Sequence, residues 1–124
     1  MTVSQGTGGC VASATTLCLN ANRYAVSAVY RTNDNRSGNG TGVPLTSDSG
    51  YYFFFNEANI EVVVKVLNAC GINNAYWVFA AGLTNVDVTL TVTDTRSGAV
   101  KTYHNPQGTA FAPVQDTAAF STCP

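Results

Sequence analysis

From Leu17 onward, apolar and polar positions alternate with period two, and the apolar positions are mostly β-branched or aromatic, which predicts strands. Arg23–Arg31 (RYAVSAVYR) places Tyr24, Val26, Ala28 and Tyr30 on one face and Arg23, Ser27 and Arg31 on the other, the pattern of a half-buried strand. Thr32–Gly42 (TNDNRSGNGTG) consists almost wholly of turn-forming residues and predicts an exposed loop. Pro44–Gly50 then leads into Tyr51–Phe55 (YYFFF), which is apolar on both faces. Such a run is either a central strand packed on both sides or an exposed aromatic platform.

Ile60–Leu67 (IEVVVKVL) alternates again, with Ile60, Val62, Val64 and Val66 inward and Glu61 and Lys65 opposite. An amphipathic helix competes for this segment, but the valine content favours a strand, closed by Cys70 and Gly71. Ala75–Ala81 (AYWVFAA) predicts another strand. Val86–Val92 gives the cleanest alternation, with Val86, Val88, Leu90 and Val92 inward and Asp87, Thr89 and Thr91 outward. Asp94–Gly98 (DTRSG) predicts a hairpin turn that returns through Ala99–Tyr103. The tail from His104 to Pro124 has little periodicity beyond a helical turn around Asp116–Phe120. Seven or eight short strands without long helical patterns predict an all-β fold, an antiparallel β-sandwich of immunoglobulin-like or jelly-roll-like type.

The 124 residues suffice for one domain with a core. Met1–Gly9 (MTVSQGTGG) is polar and Gly-rich and reads as a linker remnant, so the domain is expected to span residues 10–124. This opening has neither the basic nor the apolar region of a signal peptide, so any export signal is expected to be absent or already removed. Six Lys and Arg against seven Asp and Glu leave a net charge of −1, too little positive field for a nucleic-acid partner. No run approaches the roughly 18 to 20 apolar residues of a membrane helix, so no membrane span is expected.

Only 10% of residues are charged, and the polar surface is mostly hydroxyl and amide, as in many secreted β-proteins. Four cysteines form an even set, which in an oxidising compartment reads as two disulfides with three conceivable connectivities. The spacings and the single histidine do not match a zinc site. The simplest pairing closes a local loop by Cys10–Cys18 and ties the tail across the sandwich by Cys70–Cys123.

Taken together, CVASATTLCLNANRYAVSAVYR, PLTSDSGYYFFF, NIEVVVKVLNACGINNAYWVFAAGLTNVDVTLTVTDTRSGAVKTYHNP and DTAAFSTCP resemble, from Cys10 to Cys123, a Cys-bounded β-sandwich accessory domain of secreted bacterial proteins. That domain is found behind proteases and other hydrolases and in surface proteins. The resemblance implies secretion and an accessory role. It implies no mechanism and assigns no functional residue.

Catalytic chemistry finds little purchase in the residues. His104 is the sole histidine and no GxSxG elbow accompanies it. Glu57, Glu61, Asp87, Asp94 and Asp116 supply carboxylates, which are expected as solvated surface charges rather than a glycosidase pair. No cofactor is expected apart from calcium, for which Asp34 with Asn33 and Asn35, and Asp48, offer oxygen ligands in loops. The same residues also serve turns. Lys65 near Glu61 raises an isopeptide cross-link, against the simpler reading of a lysine at the sheet margin. For binding, Tyr51, Tyr76 and Trp77 are the expected stacking residues for a sugar ring, with Asn73 and Asn74 as polar contacts. The expectation is a non-enzymatic, extracellular module that binds a carbohydrate or cell-surface polymer. A strand-edge protein interaction or self-association is the alternative.

Overall fold

The computed structural model describes residues 9–124, so Met1–Gly8 of the expected linker lie outside the described residues. The chain is anchored immediately afterwards, where the Cys10 amide donates to the Asn22 carbonyl at 2.7 Å. Among the described residues are ten strands and one short helix. In chain order they are β1 (Leu17–Leu19), β2 (Tyr24–Arg31), β3 (Ser37–Asn39), β4 (Thr41–Thr46), β5 (Ser49–Phe53), β6 (Val62–Ala69), α1 (Cys70–Asn73), β7 (Ala75–Gly82), β8 (Asp87–Asp94), β9 (Val100–Asn105) and β10 (Val114–Phe120).

Two antiparallel sheets form a sandwich, as the alternation predicts. The first sheet runs β1-β2-β8-β9, with β3 also paired to β2; the second runs β10-β7-β6-β5-β4. Inward positions from both sheets build one core, with Val26, Leu90 and Val92 on one side and Tyr52, Val62, Val66 and Val78 on the other. The Tyr52 hydroxyl crosses it to donate to the Val26 carbonyl at 2.6 Å, which satisfies a buried polar tip inside the apolar layer. Both disulfides form as the spacing predicts, Cys10–Cys18 and Cys70–Cys123. The second fixes α1, at the end of β6, to the segment after β10. No helix among the described residues is long and apolar enough to cross a membrane.

Several expectations are corrected. Thr32–Gly42 is not one loop: Thr32 and Arg36 close a tight turn, β3 pairs back onto β2, and Thr41 already begins β4. Its turn residues punctuate short strands instead of replacing them. The tail is a strand rather than a helical turn at Asp116–Phe120, because β10 finds its partner in β7 through a bulged register. These segments bring the strand count from the expected seven or eight to ten. Ile60, expected inward, is 39% exposed, since β6 starts only at Val62. Val86 is half-buried for the same reason, lying one residue before β8. Tyr30, also expected inward, is half-buried and stacks on Phe54 at 4.6 Å.

Two carboxylates expected at the surface are buried. Asp94 begins the β8–β9 turn as predicted, with Gly98 at φ +83°, yet it is fully buried. Arg23 grips it with two hydrogen bonds of 2.9 Å, and also donates to Tyr76 Oη, the Thr122 carbonyl and the Pro124 carbonyl. Burial alone would raise the Asp94 carboxyl. Hydrogen bonds from Arg23, Thr122, Ser97 and the Arg96 amide outweigh that and hold it well below the usual carboxylate range. This hub joins the residue that leads into β2, and β8, of the first sheet to β7 of the second and to the C-terminal segment. Glu61 is only 5% exposed and pairs with no cation among the described residues; burial pushes its carboxyl up, partly offset by a hydrogen bond with Thr84.

Candidate binding face

Period-two alternation in the second sheet sends one set of side chains into the core and the other set outward. The outward set is unusually apolar for a sheet face turned to solvent. Register aligns it into rows across the strands. Val43, Tyr51, Val63 and Ala81 form one row across β4, β5, β6 and β7. Ser49, Lys65, Phe79 and Gln115 form the next across β5, β6, β7 and β10. Leu67 and Trp77 form a third. Leu45 is 58% exposed and Val63 is 38% exposed on this face.

A groove of about 450 Å³ runs over the middle row, with Leu45, Val63 and Pro113 among its walls and Lys65 as its one charged residue. That size falls within the range of small-ligand sites. Lys65 Nζ lies 5.6 Å from the centre of the Phe79 ring, within cation–π reach. Trp77 meets Phe79 edge-on at 5.9 Å.

The residues expected to bind are divided by the fold. Tyr51 and Trp77 are both half-buried and share this outer face, on strands separated by β6. Tyr51 Oη donates to the Glu57 carbonyl at 3.2 Å, which fixes the ring without covering it. Tyr76 is not part of the face: alternation turns it inward to 5% exposure, where its hydroxyl accepts from Arg23 at 3.1 Å. Asn73 is exposed, but both ends of its amide are engaged. Its Oδ1 accepts from Trp77 Nε1 at 2.8 Å, and its Nδ2 donates to the Thr117 carbonyl at 2.9 Å. Asn73 therefore positions the indole instead of offering a free polar group. Asn74 caps α1 in the left-handed region at φ +61°, a conformational role.

The calcium ligands do not converge. Asp34 lies in the β2–β3 turn of the first sheet, where Arg36 Nε donates to it at 3.1 Å and Thr32 also donates. These contacts, Thr32 foremost, lower its carboxyl. Asn33 and Asn35 sit in the same turn, Asn35 at φ +67°. Asp48 belongs to the β4–β5 turn of the second sheet, where its carbonyl accepts from the Val66 amide at 2.9 Å. No group of three or more metal-ligating His, Cys, Asp or Glu residues occurs among the described residues. His104 pairs with Asp87 at 3.1 Å on the outer face of the first sheet. Lys65 points outward over Phe79 while Glu61 is enclosed near Asn59 and Thr84, so no dry Lys–acid pair forms for a cross-link.

Phe79, Gln115 and Ser49 escape sequence reading. Phe79 sits in a strand whose apolar run hides its outward parity, and Gln115 reaches the site only because β10 pairs with β7. Lys65 carries the one legible signal, a charge set among valines. The chain matches no family model, no curated protein and no solved structure.

Proposed function

We propose that the chain is a non-catalytic module, an accessory domain of a secreted bacterial protein, that holds a carbohydrate or cell-surface polymer against the outer face of its second sheet. The observation that carries this reading is the shared, half-exposed placement of Tyr51 and Trp77, together with Phe79, on a face that the core does not use. Aromatic rings with one wet edge stack on the C–H faces of sugars and bury apolar surface as they do so. The two disulfides fit an oxidising, extracellular setting. The reading is tested by co-sedimentation with insoluble polysaccharides, followed by Trp77 emission. Retention in the pellet with a shifted emission supports it; a chain that stays in the supernatant with every polymer sinks it.

A second reading, self-association by strand addition, is favoured by β9, which ends the first sheet as a six-residue strand free of proline and bulges. Light scattering across a concentration series tests it, and a mass that stays monomeric at high concentration rejects it.

A further inference from the structure

We infer that the binding face selects a carboxylated sugar polymer, a polyuronate, with the carboxylate seated on Lys65 and the sugar ring over Phe79. This inference rests on the reading of the second sheet as a carbohydrate-binding face. It starts from one row, Ser49–Lys65–Phe79–Gln115, whose members lie directly opposite one another on four adjacent strands. Strand spacing makes such a row about 14 Å long. It places an aromatic platform between a cation on one side and an amide on the other, the alternation of stacking and polar groups that a sugar presents along its own ring.

Charge complementarity decides the kind of sugar. Lys65 is the single charged residue lining the groove, and it takes part in none of the ion pairs among the described residues, which are Arg23–Asp94, Arg36–Asp34 and His104–Asp87. The apolar walls Leu45 and Val63 flank an exposed Lys65, so an incoming carboxylate reaches the ammonium without breaking an existing ion pair. The same walls meet C–H faces and exclude water. Gln115 is exposed and makes no side-chain hydrogen bond among the described residues, which leaves both ends of its amide for ring hydroxyls. A neutral glycan would use Phe79 and Gln115 but offer the ammonium over Phe79 no anionic partner.

The test titrates the whole chain with polygalacturonate and, separately, with a soluble neutral glucan and with poly-glutamate, reading Trp77 emission beside Phe79 and mobility in affinity gels. The expected result is preferential binding of polygalacturonate that weakens as sodium chloride rises. Lys65→Met should cost roughly tenfold to a hundredfold in that affinity, as for loss of a charge-assisted hydrogen bond, and Lys65→Arg should retain most of it. Equal binding of polygalacturonate and neutral glucan, unchanged by Lys65→Met, overturns the inference while the carbohydrate-binding reading stands. Binding of poly-glutamate as strong as that of polygalacturonate overturns it in favour of an acidic peptide. Failure to bind any polysaccharide overturns both readings together.

Discussion

The two sheets share one valine-rich core but present opposite outer faces. On the first sheet, register aligns Ser27, Thr91 and Thr102 in one row and Val29, Thr89 and His104 in the next, so hydroxyl and imidazole groups dominate. On the second sheet, the corresponding rows hold Tyr51, Val63 and Ala81, then Lys65 and Phe79, then Leu67 and Trp77. Folding alone does not require this difference. An antiparallel sheet buries one face and solvates the other, and the threonine face shows what a solvated face of this chain looks like. The second sheet's outer face departs from it in carrying Tyr51, Phe79 and Trp77, the observation on which the proposed binding face rests. The proposed binding face therefore lies on the second sheet, and the outer face of the first is its internal control.

The largest expected effect removes both faces at once. Asp94→Ala leaves Arg23 buried without its carboxylate and should cost about 3–5 kcal/mol in urea unfolding. Both faces should be lost in one transition, because the Arg23 hub spans both sheets. The same group sets an acid limit. Its carboxyl is depressed in the folded state, so its contribution is present above the unfolded value of 3.8 and is lost as pH falls below it. Melting between pH 6 and pH 2 should show that loss, and Asp94→Asn should flatten it.

Next in size is replacement of both Cys70 and Cys123 by serine. The bridge spans 53 residues, and its removal should cost about 2–4 kcal/mol. Because Cys123 follows β10, hydrogen exchange should rise first along β10 and β7, and polymer binding should weaken while the threonine face keeps its protection. Equal rises in both sheets would show that the bridge does not favour either face.

A smaller effect separates the faces directly. Trp77→Ala should lower polymer affinity at least tenfold, about 1.4 kcal/mol, whereas Thr91→Ala on the control face should leave affinity unchanged and stability within about 0.5 kcal/mol. Matching losses from both substitutions would erase the functional contrast. The smallest effect concerns Glu61, whose carboxyl is raised by burial. Its favourable contribution is present below the unfolded value of 4.5 and is lost as pH rises through the folded one. Glu61→Gln should therefore give a slight gain in melting temperature at pH 7 and none at pH 3.

The strands legible in the sequence are those with long alternation, β2, β6 and β8, where side-chain period and burial coincide. The segments that misled are short or flanked by turn residues. β3 and β4 hide among Gly, Asn and Thr, and β10 carries polar outward positions with a bulge, so only their partners reveal them. In Tyr51–Phe55 the apolar run on both faces left core and outer face undecided, and parity within the folded strand turns Tyr51 outward and Tyr52 inward. Tyr76 was not separable from Trp77 by composition, and one step in parity sends the first to the core and the second to the surface.

By itself, then, the sequence determined the sandwich and most inward positions of its long strands, and its cysteine spacing pointed to the pairing that forms, since period, residue type and spacing are local or nearly local properties. Only the tertiary structure decided which charges were buried and which side chains met. Arg23 and Asp94 are 71 residues apart, and nothing near either one announces the other. Ser49, Lys65, Phe79 and Gln115 likewise become a row through strand order and register. Those depend on which edges pair across long separations, where the deciding free energy belongs to the assembled core and not to any segment within it.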